Sequence, residues 1–334
     1  MKSLQYLFIA VMPLVWMSCQ MRSPSNPETF STPETRITLP DFNADSAFYF
    51  VAKQMSFGPR VPGTRGHEQC ANWLEQTLSR FADEVVVQPF TTRVWNGETR
   101  RGKNIIGSFY PEKPFRILLG AHWDTRPVAD HDPDPANWHK PVPGANDGAS
   151  GVGVLLEVAR QLSIKRPNVG IDIIFFDLED YGTPEFADIS FRRGDTRYTW
   201  GLGAQYWSLN PHRQNYRANY GILLDMVGAS NPNFGWEGFS MHFAPDIVHK
   251  VWRTARALGF GHIFVNRRSG YVIDDHYFVN KMAGIPMINI IDFDERRPIG
   301  FFEQWHTLQD DMSIINKNTL RMVGQVVLAQ IYQE

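Results

Sequence analysis

Cysteine is nearly missing from this chain: 334 residues carry two, Cys19 and Cys70. That arithmetic excludes both a disulfide framework and a multi-cysteine zinc site. Excess charge of either sign is missing too. The 33 Lys and Arg against 35 Asp and Glu leave a net charge of -2, so binding of nucleic acid through a basic surface is not indicated. The apolar run at 4–17 is too short to span a bilayer comfortably. Beyond Asp41 there is no repeat, low-complexity tract or second linker, which makes 41–334 one domain. What the chain does have is apolar mass. It is 43% hydrophobic, enough for a sizeable core, and its 10 Trp, 11 Tyr and 23 Phe would serve a pocket lining or a large core equally well.

Lys2 ahead of the apolar run reads as an export signal over residues 1–19. Its end, Trp16-Met17-Ser18-Cys19, resembles a bacterial lipoprotein cleavage site, although Trp16 stands where that pattern favours a small aliphatic residue. The resemblance implies an exported, periplasmic protein anchored to the membrane through an acylated Cys19. An ordinary signal with an incidental cysteine is the alternative. Residues 20–40, rich in Ser, Pro, Thr and Glu, read as a flexible tether. Cys70, in a helical stretch after Gly66, reads as a small buried hydrophobe before a nucleophile.

Periodicity predicts helices at 45–55, 66–81, after Asp147, at 245–257 and from about 316, with strands at 85–90, 104–109, 115–121, 171–176, 220–224 and 286–291. Short, nearly continuous apolar runs between amphipathic helices predict an α/β fold, a single-domain α/β/α sandwich around a mixed, mostly parallel twisted sheet. Three of these runs lead straight into polar residues: the third into His122-Trp123-Asp124, the fourth into Asp177-Leu178-Glu179-Asp180, the fifth into Asp225. Ligands of open α/β sheets gather beyond the carboxyl ends of the strands. One such acid is as often a helix cap or a solvated loop residue; three together point to one polar site.

A catalytic zinc takes three His or carboxylate ligands and keeps one position open. Asp147 lies in Gly144-Ala-Asn-Asp-Gly-Ala-Ser-Gly151, placed for a ligand or for an ordinary N-cap. Asp180 directly follows Glu179, so a ligand and a general acid/base could share one loop. His306, beside Trp305, offers an imidazole.

The ordered series Gly120-Ala-His-Trp-Asp-Thr-Arg126, Gly144-Ala-Asn-Asp-Gly-Ala-Ser150, Phe175-Phe-Asp-Leu-Glu-Asp180, Leu223-Leu-Asp-Met-Val-Gly228, Asp274-Asp-His276 and Trp305-His-Thr307 resembles the zinc aminopeptidase and glutaminyl cyclase superfamily, within it the animal-type cyclases of bacteria. The resemblance runs from about Asp41 to the C-terminus. It implies one zinc per chain held by Asp147, Asp180 and His306, with Glu179 as proton shuttle and Asp225 and Asp274 behind it. Trp305, Trp200 and Phe301 are the implied pocket walls, each also explicable as core. Three departures stand out: Asp180 where Glu is usual, Asn289 at the place of a second active-site His, and an insertion between Gly182 and Tyr198.

The reaction implied is closure of an N-terminal Gln of peptides and proteins onto its own amide, giving pyroglutamate and ammonia, with zinc as Lewis acid. Two alternatives stay open. A two-zinc aminopeptidase would add His122 and Asp225 as ligands of a second metal bridged by Asp147. A lipid-anchored binding protein would keep the fold and lose the catalysis.

Overall fold

The computed structural model describes residues 39–188, 190 and 196–334. The expected leader, Cys19 and residues 20–38 of the tether lie outside the described residues. Two helices open the fold, and each begins at a capping side chain. Asn43 accepts from Ser46 N–H ahead of α1 (Ala44–Met55), and Thr64 accepts from His67 N–H ahead of α2 (Arg65–Leu78). Then follow β1 (Glu84–Arg93), β2 (Thr99–Phe109), β3 (Arg116–His122), α3 (Ala149–Ile164), β4 (Gly170–Phe176), α4 (Leu202–Leu209), β5 (Tyr220–Asp225) and β6 (Phe234–Glu237). The chain continues through α5 (Gly238–Phe243), α6 (Pro245–Ala257), β7 (Phe264–Gly270), α7 (Asp275–Phe278), β8 (Met287–Ile291) and α8 (Lys317–Gln333).

Six strands form one sheet in the order β1-β2-β4-β3-β5-β8. The β4, β3, β5 and β8 ladders are parallel, and β2 pairs antiparallel with both β1 and β4, so β2 alone runs against the rest. This is the mixed, mostly parallel sheet expected. Alternate residues of each strand sort to opposite faces. Ile117, Leu119, Ile171, Ile173, Ile222, Leu224, Ile288 and Ile290 pack into one core cluster with α1, α3, α6 and α8. Leu118, Ile174, Phe176, Leu223 and Met287 pack into another with Trp207 of α4 and Phe278 of α7. Each such side chain stabilises the fold by about 1.5–3 kcal/mol when taken from water. Burial on both faces is why β3, β4, β5 and β8 read as unbroken apolar runs.

A second, two-stranded parallel sheet of β6 and β7 was not predicted. β6 has four residues with Gly235 among them, and β7 carries Asn266-Arg267-Arg268-Ser269, so neither shows an apolar run. Helices α4, α5 and α7 were also missed; α5 and α7 have six and four residues, too few to display a helical period.

Topology places the site. After β3 the chain goes to β4 on one side, then crosses over to β5 on the other. The carboxyl ends of three neighbouring parallel strands therefore open at the point where the winding reverses.

Candidate metal centre and active site

From these three strand ends come His122, the 177–180 loop and Asp225, while Asp147 arrives from the loop before α3. Asp147 does not cap that helix. The N-cap is Gly148, with no side-chain cap bond, so the carboxylate is free to face the pocket. Gly148 itself is required by close approach: a Cβ there would come within 2.6 Å of the His122 ring. Three non-glycine residues hold left-handed backbone at the site, Leu178 (φ 56°), Met226 (φ 51°) and His306 (φ 54°). Such conformations cost on the order of 1–3 kcal/mol each and persist where the surroundings over-determine them. They stand at or beside Glu179, Asp225 and His306, which all line the pocket.

The nine residues nominated for the cyclase site line one cavity of about 340 Å³: Asp147, Glu179, Asp180, Asp225, Asp274, His306, Trp200, Phe301 and Trp305. Within it, donor atoms of Asp147, Asp180 and His306 lie within 4.8 Å of one another. His306 Nε2 is 3.2 Å from Asp180 Oδ1 and 3.7 Å from Asp147 Oδ2, and its Nδ1 is 3.4 Å from Asp130 Oδ1. Asp180 Oδ2 is buried with no hydrogen-bond partner. Two carboxylates, an imidazole whose far nitrogen faces a third carboxylate, and one unsatisfied buried oxygen fit a zinc ion. A second group, His122, Asp147 and Asp225, meets the same 4.8 Å limit. In it His122 Nε2 is 3.0 Å from Asp147 and 3.2 Å from Asp225.

Around the donors stands a frame of buried carboxylates. Asp124 accepts from Glu179 N–H (3.1 Å) and Asp180 N–H (3.2 Å) and lies 3.5 Å from His122 Nδ1. Asp310 accepts from Asn146 N–H (2.7 Å) and Asp147 N–H (3.1 Å). Asp130 takes a bidentate grip from Arg126 at 2.7 and 2.6 Å, and Arg126 also donates to the Asp180 carbonyl. Asn289, expected near an active-site position, donates to Asp274 Oδ2 at 2.6 Å. Asp274 and its neighbours are buried, so the 274–276 segment is not a solvated helix start.

Burial, and then the neighbouring Asp274, push the Glu179 carboxyl well above its usual range. The same two causes raise Asp225 to about 7. Carboxyls crowded in a dry pocket keep a proton among them.

The aromatic walls are stacked. Trp305 lies 3.6 Å from the His306 ring and 4.1 Å from Phe301. Trp200 sits under the Arg126 guanidinium at 4.7 Å and against Gly182, where a Cβ would meet its ring at 2.1 Å. Missed from sequence were Met226, Tyr271, Val272, Ile273 and Phe293 in the lining. Roles for Asp124, Arg126, Asp130 and Asp310 were missed as well. Asp124 and Arg126 stand inside the motif around His122, which was the available signal. Asp310 looks like any acid in a polar turn.

A sandwich with a carboxylate and imidazole donor set at the winding switch of its sheet defines an α/β metalloenzyme. The chain belongs to peptidase family M28, which it matches over residues 104–331. A glutaminyl cyclase of Bacteroides thetaiotaomicron, solved with N-acetylhistamine bound, is 50% identical and superposes with a TM-score of 0.85 over 89% of this chain and 100% of its own. A Zn-dependent exopeptidase of Parabacteroides distasonis is 49% identical, with a TM-score of 0.86 over 89% of this chain and 100% of its own. The glutaminyl-peptide cyclotransferase of Bos taurus is 25% identical over 300 residues, covering 80% of this chain and 76% of the relative.

Proposed function

We propose that this enzyme is a glutaminyl-peptide cyclotransferase, converting the N-terminal Gln of peptides and proteins to pyroglutamate with release of ammonia. The observation that carries this is the convergence of Glu179, Asp225 and Asp274 with the three donors in one small aromatic-walled cavity, in a chain half identical to a glutaminyl cyclase. Asp147, Asp180 and His306 would hold one zinc, which supplies Lewis-acid polarisation of the amide when bound.

The chain's own residues do the rest. Trp305, Phe301 and Trp200 enclose a Gln side chain folded back toward its α-amine, which makes the attack intramolecular and removes much of its entropic cost. The bond from the α-nitrogen to Cδ forms, the bond from Cδ to Nε breaks, and ammonia leaves; no water is consumed. Glu179 takes a proton from the attacking amine and returns it to the departing nitrogen. Asp225 and Asp274 hold negative charge opposite the amine while it is ammonium-like. Asn289 fixes the Asp274 carboxylate for this.

The second reading is a two-zinc aminopeptidase, favoured by the His122, Asp147 and Asp225 group. A non-catalytic binder has no use for a buried proton carrier beside a donor triad. Incubation with a Gln-first dipeptide separates the reactions: a cyclase releases ammonia, a peptidase free Gln. Glu179→Gln is expected to lower ammonia release by about 10²–10⁴-fold with zinc retained. Unchanged turnover removes Glu179 from the mechanism, and two zinc ions per chain with free Gln as product favours the peptidase.

A further inference from the structure

Helices α6 and α8 lie side by side, joined where Gln330 Nε2 donates to Thr254 Oγ1 at 2.5 Å. Three arginines cluster where α6 ends against α8. Arg253 and Arg256, one turn apart on α6, are exposed, and half-buried Arg321 of α8 lies over the ring of Phe260, just past α6, at 5.4 Å. Among the described residues none of the three pairs with a carboxylate; Arg321 donates to Asn318 Oδ1 at 3.2 and 3.0 Å. The acids nearby are already matched, Asp45 with Lys317 at 2.7 Å and Glu334 with Lys250. Asp246, in the first turn of α6, stands two turns away from Arg253. A chain of net charge -2 thus carries a local excess of cations at this place.

The segment that joins the tether to the fold is fastened beside it. Phe42 N–H donates to Gln325 Oε1 and Gln325 Nε2 donates to the Pro40 carbonyl, both at 3.0 Å. The Phe42 ring lies on Gly324, where a Cβ would meet it at 2.0 Å. Gln325 is one helical turn from Arg321, so the root of the tether and the arginines share one face.

We infer that the face carrying Arg253, Arg256 and Arg321 docks on the anionic headgroups of the membrane to which the leader anchors the chain. The inference takes the anchor at Cys19 from the leader and is independent of the cyclase reading, since none of the three arginines lines the pocket. Residues 20–39 separate Cys19 from Pro40, and at about 3.3–3.6 Å per extended residue they keep the fold within about 70 Å of the membrane. Headgroup phosphates attract cations within a Debye length, about 8 Å at physiological salt, and a guanidinium matches a phosphate with two parallel donors. Three such charges are too few to hold the domain on a membrane unaided. Behind a tether they act at a high local concentration, which makes weak docking count.

The test couples the full chain through Cys19 to vesicles carrying a maleimide lipid, which supplies the tether whether or not Cys19 is acylated in the cell; Cys70, the other thiol, is buried. Phenylglyoxal then labels accessible arginines, and mass spectrometry reads each position. Vesicles of phosphatidylglycerol with phosphatidylcholine should slow labelling of Arg253 and Arg256 about 5-fold relative to phosphatidylcholine alone, the weight of one cation at an anionic surface. Arg93 and Arg101, exposed on the β1–β2 hairpin, should label equally on both. The protection should disappear in about 0.5 M NaCl. Arg256→Gln, a change at an exposed position, should weaken the protection of Arg253. Equal labelling of Arg253 and Arg256 on the two kinds of vesicle, or equal protection of Arg93 and Arg101, overturns the inference. Protection by duplex DNA and none by the anionic vesicles would put a nucleic acid in the membrane's place and overturns it too.

Discussion

Asp310 shows how much a single side chain outside the donor set can do. Its carbonyl accepts from Ala145 N–H at 3.1 Å, and its carboxylate takes Asn146 N–H and Asp147 N–H. His306 lies four residues before it, so one residue ties together two donor-bearing loops more than 150 positions apart. Burial, then the nearby Asp147, raise its carboxyl to about 8. Asp310→Ala should weaken zinc binding by about 10–100-fold, measured by chelator competition, since supports of metal ligands carry effects of that size. Asp310→Asn keeps one acceptor and should lose less; zinc affinity unchanged in both variants would remove the bracing role. Asp180 makes a related point. It is one methylene shorter than the Glu usual in the cyclases it resembles, and the left-handed turn at Leu178 together with the Asp124 clamp sets the backbone from which it reaches the pocket.

At the scale of elements, α4 is tied to the loop that follows it by a polar contact that should respond to acid. Trp207 on α4 donates through Nε1 to His212 Nδ1 at 3.2 Å, so the imidazole there is neutral at that nitrogen. Burial outweighs Asp172, 3.9 Å away, and lowers the His212 pKa to about 4. Between the ordinary value near 6.5 and 4, the unfolded chain therefore binds a proton that the folded chain refuses. The stability this contributes is complete above about pH 6.5 and is lost as pH falls through 4, on the order of 3 kcal/mol. His212→Asn, which offers an acceptor that does not titrate, should flatten that part of the stability profile in urea melts; an unaltered slope between pH 6.5 and 4 would contradict it. The β4, β3 and β5 elements matter in another way. Their parallel pairing aligns His122, Asp177 and Asp225 on one sheet edge with no contribution from the loops.

For the whole molecule, the export reading of residues 1–19 and acylation of Cys19 are our inferences from the leader's composition. Among the described residues no helix is long and apolar enough to cross a membrane. Membrane association through the leader alone predicts that Cys19→Ser moves the enzyme from the membrane fraction to the soluble fraction of fractionated cells, with ammonia release per mole unchanged. Enzyme still in the membrane fraction would place the attachment elsewhere.

Sequence alone determined β3, β4, β5 and β8, because strands buried on both faces must be apolar throughout, and it determined the polar residues that follow three of them. It also nominated Asp147, Asp180, His306 and Trp305, which line the cavity, since each of these sits in a motif whose residues stay adjacent along the chain. Only the tertiary structure decided what depends on distant segments meeting. Asp147 faces the pocket instead of capping α3 because Gly148 takes the cap position, and Asp310 and Asp130 become supports only once their loops fold against Asp147 and His306. The β6–β7 sheet, Tyr271 and Phe293 belong to the same class. Their placement is fixed by packing partners far away in sequence, and a short polar segment carries no local periodicity from which such partners could be read.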